Sequence, residues 1–226
     1  SDQLIHKMND FQSLKKGELT ISVSPFYQKC YLLGVLSEFQ KRHFGIKVRI
    51  VDAFSSDSET LLVQGQVDLA FVMLPYQNKS IKYERVFEER IFLAVPRQFA
   101  INQKLPDPQE RPCTIEDLKV LKDEPFVMYE HGRRMWGSSI ALCRSAGFEP
   151  RVAFESNVCE SLNAMVAGGM GVGFVPSAID RVKARYESVI YYPIDDENAV
   201  RTLTIGYMEK NMTSAAREFV RVVKGK

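Results

Sequence analysis

Apolar residues recur along the chain with two alternating periods. Leu19, Ile21 and Val23 stand two apart, as on a half-buried strand. After Pro25, Leu32, Leu33, Val35, Leu36 and Phe39 stand at helical spacing until His43-Phe44-Gly45. Residues 46–51 alternate again, residues 56–64 read as a helix capped by serine or aspartate, and residues 67–73 form an almost wholly apolar strand. Three strand-helix steps in a row imply parallel pairing through right-handed crossovers. The rhythm then changes to a long strand within residues 85–95 and a proline- and charge-rich loop over residues 103–112. Beyond it the pattern resumes, with a helix opening at Thr114, a strand over 126–129, a helix over about 136–146 and a strand over 151–154.

The densest stretch is 156–176. Ser156 or Asn157 can cap a helix whose inward face is Leu162, Met165 and Val166, which leaves backbone N–H groups to hold an anion. Gly168 and Gly169 stop that helix, and residues 172–175 form a short buried strand before Pro176. A helix to Tyr186, a strand over 189–192, a polar turn at 195–198, a strand over 202–208 and a helix over 214–223 complete the chain. In front of all this, residues 2–14 read as a short helix with Leu4, Ile5, Met8, Phe11 and Leu14 near heptad spacing, closed by Gly17 and suited to packing against a partner.

Composition narrows the function. With 226 residues, 45% of them hydrophobic, the chain can build one large or two small cores; a formal net charge of +2 provides no nucleic-acid footprint. No apolar run is long enough to span a membrane. The N-terminus carries no leader pattern and does not begin with methionine, so the expectation is a trimmed, cytoplasmic protein. Cys30, Cys113, Cys143 and Cys159 are widely spaced without a CxxC pair and read as buried free thiols. There is no GxSxG, HExxH or P-loop, and His6, His43 and His131 stand near no partner set. Neither catalysis nor a metal or cofactor is expected.

Four motifs in order resemble the effector-binding (regulatory) domain of LysR-type bacterial transcriptional regulators. Residues 17–25 (GELTISVSP) are similar to its entry strand, and residues 32–48 to its first helix and second strand, with Phe44 where proline is usual. Residues 61–71 (LLVQGQVDLAF) resemble the LxxGxxDLAI signature, and residues 168–176 (GGMGVGFVP) its xGxGIxxLP counterpart. The resemblance implies an α/β fold of two Rossmann-like lobes joined by two crossover segments, of the type II periplasmic-binding-protein kind. Residues 1–16 would be the end of a linker helix, 17–95 plus 196–226 lobe I, and 96–195 lobe II. It implies a small-molecule effector, expected to be an organic anion, in the interlobe cleft. It further implies a homodimer or homotetramer, with the helix around Cys30 to Gln40 against a partner's lobe II, and DNA contact only through an absent N-terminal winged helix-turn-helix. Peroxide-sensing members use a cysteine pair in lobe II; Cys143 and Cys159, each within a helix and sixteen positions apart, do not match it. The rival reading is the solute receptor of a transporter with the same fold.

Ligands of open α/β sheets sit beyond the carboxyl ends of strands, where loops lead into helix N-termini. That rule and the resemblance select Ser24, Pro25 and Phe26 after the first strand, Phe54, Ser55 and Ser56 after the second, and Met73 after the third. In lobe II they select Tyr129, Ser156, Asn157, Gly173 and Phe174 as effector contacts. Ser24 reads equally as a donor to a carboxylate and as an ordinary N-cap, and Ser156 or Asn157 carries the same ambiguity. Arg133 and Arg134 can clamp an anion or sit in solvent. Phe26, Tyr27, Phe54 and Tyr129 suit a planar ligand or the core.

Overall fold

The structure, a computed structural model, describes residue 8 and residues 17–225. The helix expected over residues 2–14 lies, apart from Met8, outside the described residues. In chain order, the elements begin with β1 (Glu18–Val23), a helical run through Pro25–Tyr27 and a π turn Gln28–Leu32 into α1 (Leu33–Arg42), then β2 (Lys47–Asp52), α2 (Ser55–Val63) and β3 (Leu69–Met73). The long β4 (Lys82–Pro96) is followed by α3 (Ile115–Leu118), β5 (Pro125–Met128), α4 (Arg134–Ser145), β6 (Arg151–Glu155), α5 (Cys159–Ala167) and β7 (Val172–Pro176). β8 (Val189–Pro193), β9 (Val200–Tyr207) and α6 (Ser214–Lys224) close the chain. Where a helix was expected from Pro176 to Tyr186, only a 3-10 segment Ser177–Val182 forms, and Lys183 ends it in the left-handed region at φ 52°.

Two compact units result. The first runs to Phe87 and resumes at Thr202; the second is Glu88–Arg201. These boundaries fall before Val95 and after Asp195, the crossing points inferred from the sequence. The reason is local: residues 91–96 of β4 pair antiparallel with β7 and β8, so the strand joins the second unit well before it ends.

In the first unit, β1 pairs parallel with β2 and β3, as the three strand-helix steps require, and β9 closes antiparallel on β3. Leu19, Ile21, Val23 and every residue of β3 are buried, as strands covered on both faces must be. Thr213 caps α6 by accepting the Ala216 N–H at 3.1 Å, and the helix sinks Ala215, Ala216, Phe219, Val222 and Val223. Phe219 meets Phe39 of α1 edge-on at 5.2 Å between centroids.

In the second unit, β5 pairs parallel with β6 and β7, while β4 and β8 run antiparallel beyond β7. The motif at 168–173 now has a geometric account. Gly169 takes φ +78° after α5, a conformation that costs other residues. Gly173 lies where a Cβ would stand 3.0 Å from the Val127 carbonyl oxygen and 3.1 Å from Leu162, so only hydrogen lets α5 lie flat on β7.

Phe219→Ala is expected to cost about 3–5 kcal/mol of unfolding free energy through the cavity it leaves. Gly173→Ala should cost about 1–3 kcal/mol through overpacking. Trp136, the single tryptophan, lies in the second unit, so its fluorescence reads the Gly173 variant during denaturant titration and far-ultraviolet circular dichroism reads the Phe219 variant.

Candidate functional site

In the first unit the loops selected from sequence meet at one edge of the sheet. Ser24 is the extended N-cap residue (φ −71°, ψ 149°) of the run that Pro25 opens, and its hydroxyl caps no helix N–H. That hydroxyl is therefore uncommitted to the helix it precedes, so Ser24 is not an ordinary side-chain cap. Pro25 is exposed, whereas Phe26 is buried with its ring edge-on to Tyr27 at 5.0 Å. The Ala53 N–H reaches the Val23 carbonyl at 3.2 Å, which holds the ends of β1 and β2 together. α2 begins one residue earlier than expected, with Phe54 at its N-cap position and Ser55 as its first residue; a serine or aspartate does not cap it. The Ser55 hydroxyl is turned sideways and accepts the Met73 N–H at 3.0 Å, so the ends of the second and third strands are also joined. Ser56 follows it on the same turn, half-buried.

A buried polar seam fixes this arrangement. The Ser22 and Ser58 hydroxyls share a hydrogen bond of 2.6 Å, and Asp68 accepts the Thr20 N–H at 2.8 Å. Buried Glu59 accepts the N–H groups of Gln77 and Asn78 at 2.9 and 3.0 Å. Each tie joins α2 or a strand end to a neighbouring segment, so the loops are held by groups that the interior cannot leave unsatisfied. Gln28, in the π turn, donates to Asp52 at 2.7 Å and ties the helical run to the end of β2. Sequence reasoning missed this pair, which is 24 residues apart and has no local signature, and it missed the π turn, a device common at functional sites.

In the second unit, the Ser156 N–H donates to the Met128 carbonyl at 2.9 Å and brings the β6 exit beside the β5 exit. α5 is preceded by Val158, not capped by Ser156 or Asn157; the Ser156 hydroxyl instead accepts the Val158 N–H at 3.3 Å in a local turn. The Asn157 amide donates to Glu130, a partner the sequence did not suggest. Tyr129 is buried, and its side chain favours the thiolate of Cys159, against the effect of burial. His131 packs edge-on to Trp136 at 4.3 Å, and Arg133 is the N-cap residue of α4. Gly173 and Phe174 lie inside β7 rather than in a loop. Phe174 is 1% exposed with its ring against Phe126, so its side chain serves the core of the unit.

The second unit also holds a buried charged pair: Arg201 of β9 donates to Glu89 of β4 at 3.0 Å, with side chains 9% and 2% exposed. Cys113, Cys143 and Cys159 are buried in the same unit, and burial pushes each thiol up to about 12. For Cys159 the Tyr129 hydroxyl opposes that rise, while Glu89 and Arg201 act on it in opposite senses. Thiols held this far above neutrality carry almost no thiolate, the form that reacts. Among the described residues no group of three or more His, Cys, Asp or Glu is placed to hold a metal ion, and no helix is long and apolar enough to cross a membrane.

The raised thiols have a pH consequence of fixed sign. The unfolded chain sheds these protons near pH 9 and the folded chain only near 12, so their contribution to stability is complete below about 9 and lost as pH rises through 12. Native protein at pH 7 should resist iodoacetamide at all three positions, and its unfolding midpoint should decline from about pH 9 upward, a decline reduced in Cys143→Ala.

The LysR substrate binding domain family model matches residues 12–226. The chain is 25% identical over 224 residues to an uncharacterized HTH-type transcriptional regulator, YcgK, of Bacillus subtilis (strain 168), covering 94% of this chain and 68% of the relative. It is 24% identical over 216 residues to the HTH-type transcriptional regulator AlsR of the same organism, covering 93% and 68%. Among solved structures, the BenM effector binding domain with its effector benzoate superposes with a TM-score of 0.76 at 17% identity, over 92% of this chain and 90% of that one. That likeness carries the type II periplasmic-binding-protein fold. The family is one of transcriptional regulators rather than enzymes, which also sets aside the transporter receptor. The chain belongs to the LysR substrate binding domain family and is an effector-binding domain of a LysR-type regulator.

Proposed function

We propose that this domain senses a small organic anion and that a DNA-reading segment outside these 226 residues answers to it, in the cytoplasm. The single observation that carries the anion reading is the Ser24 hydroxyl, half-buried at a proline-started helical run and bonded to no helix N–H. A hydroxyl of this kind can donate to a carboxylate beside free backbone N–H groups. Ser56 in the first unit, with Ser156 and Asn157 in the second, are the further contacts of this reading; Pro25, Phe26, Phe54, Ser55, Met73, Tyr129, Gly173 and Phe174 shape the loops or their floor. The benzoate of the BenM domain supports a carboxylate as the ligand class. The effector acts by binding one conformation of the domain better than another, since equal binding shifts nothing.

We further propose a homodimer in which α1 of one copy meets the second unit of the other. Leu33 on α1 is exposed, and at the edge of the second sheet every residue of β6 is exposed, including Val152 and Phe154. An apolar, unpaired edge is a pairing liability that a second copy relieves.

Thermal melting with a panel of small carboxylates, aromatic acids, amino acids and phosphates tests the sensing. A true effector at one hundred times its Kd stabilises by about 2.7 kcal/mol and raises Tm with concentration. The shift should vanish in Ser24→Ala or Ser156→Ala; a shift unchanged in both variants sinks these residues as contacts. Phe154→Glu should convert the dimer to monomer in light scattering, and a dimer that survives it rules out the β6 edge.

A further inference from the structure

The second unit carries a groove that belongs to none of the loops selected for the effector. β8 pairs with one strand, β4, and a groove of about 840 Å³ runs along its five residues. That volume suits a small organic ligand, whose pockets span about 300–1,000 Å³. The floor is apolar and aromatic, with Val189, Tyr191 and Tyr192 buried, and Leu105, Pro106 and Pro108 add to the lining.

Hydrogen bonds hold the groove in shape. The Tyr192 hydroxyl donates to the Asn102 side-chain oxygen at 2.8 Å, and the Asn102 amide donates to the Pro96 and Phe99 carbonyls, each at 2.9 Å. The Tyr191 hydroxyl donates to Asn163 of α5 at 2.9 Å and accepts the Tyr186 N–H at 3.1 Å. The Arg185 guanidinium, forked on Asp180, lies 5.1 Å from the centre of the Tyr191 ring. The lining is thus fixed before a ligand enters, and preorganisation of this kind favours binding.

Opposite charges stand together at the rim. Arg97 donates from its backbone N–H to the Ser188 carbonyl at 2.7 Å and from Nε to the Glu187 carbonyl at 2.9 Å, so the Arg97 and Glu187 side chains leave adjoining points. Among the described residues the terminal amino groups of Arg97 have no partner, and neither has the Glu187 carboxylate. Asp107 adds a second carboxylate, one oxygen of which accepts the Gln109 N–H at 2.9 Å. A plain carboxylate would meet Arg97 but also the two acids, and a plain amine would leave the guanidinium fork unused. An α-amino acid carries both charges on one carbon.

We propose that this groove is a second ligand site and takes the zwitterion of an amino acid with an apolar side chain. The carboxylate lies on the Arg97 fork, the ammonium on Glu187, and the side chain along Val189 and Tyr191. The site is independent of the reading of Ser24 and Ser156 as effector contacts.

Isothermal titration of the protein with L-phenylalanine tests it. Binding should saturate at one site, whereas 3-phenylpropanoate, phenethylamine and glycine, each lacking one of the three features, should bind at least about fivefold more weakly, the upper range for an exposed ion pair. Arg97→Gln and Glu187→Gln should each weaken L-phenylalanine by about fivefold, with Ser24→Ala and Ser156→Ala unchanged. Hydrogen exchange should slow on binding within residues 97–109 and 185–193. Absence of saturable binding overturns the proposal, as does binding that survives both groove variants. Glu187→Gln keeps the bond from Arg97 to the Glu187 carbonyl, so a loss confined to Arg97→Gln marks a disturbed wall and overturns the zwitterion. Binding lost in Ser24→Ala or Ser156→Ala but intact in Arg97→Gln puts L-phenylalanine at the effector loops and sinks this inference alone. Binding in the groove with no serine-dependent hit in the melting panel sinks the anion reading alone.

Discussion

Parallel pairing is the constraint from which the rest of the structure follows. Strands that run side by side in one direction must be joined by crossovers, so every strand in β1, β2 and β3, and again in β5, β6 and β7, releases its loop at the same edge of its sheet. The loops are therefore gathered by topology before any side chain is chosen. What remains for side chains is to hold the loops still, because unpaired backbone groups at a buried strand end are costly.

Each unit answers that demand with its own chemistry. The first uses small hydroxyls and carboxylates: Ser55 on Met73, Ser22 with Ser58, Glu59 on Gln77 and Asn78. Short side chains suit the narrow space between a strand and the helix that follows it, and each neutral bond adds roughly 1 kcal/mol while avoiding a larger desolvation loss. The second unit relies on a backbone bond from Ser156 to Met128 and on an interior where Gly173 permits close approach of α5 to β7. Its thiols belong to that interior. Cys143 is fully buried and Cys159 nearly so, which gives them a packing role, and burial holds both thiols in the protonated form at neutral pH.

Most elements were legible because their periods are strong. The alternation in β1, the apolar run of β3 and the amphipathic stripe of α6 each identify their element within a residue or two, and the four ordered motifs identified the family that the family model then matched over residues 12–226. Errors arose where the local signal was a single polar residue. Serine before a helix predicts a cap, yet Ser24, Ser55 and Ser156 each do something else: one caps no helix N–H, one bonds across to β3, one makes a local turn. The segment after Pro176 had helical composition but forms only a 3-10 segment, since nothing in a local window shows that Lys183 will turn left-handed.

By itself, the sequence determined the order of strands and helices, the glycine positions where backbone comes close, the buried character of the cysteines and the family, because all of these are written in residues near one another. The tertiary structure alone decided which of the candidate residues are exposed and which, like Phe174 and Tyr129, are buried, and which distant groups meet: Gln28 with Asp52, Asn157 with Glu130, Glu89 with Arg201. The physical reason is range. Hydrophobic period and turn chemistry act over a few residues, whereas a hydrogen bond or ion pair is chosen by proximity in space, and no local pattern encodes a partner 24 or 112 positions away.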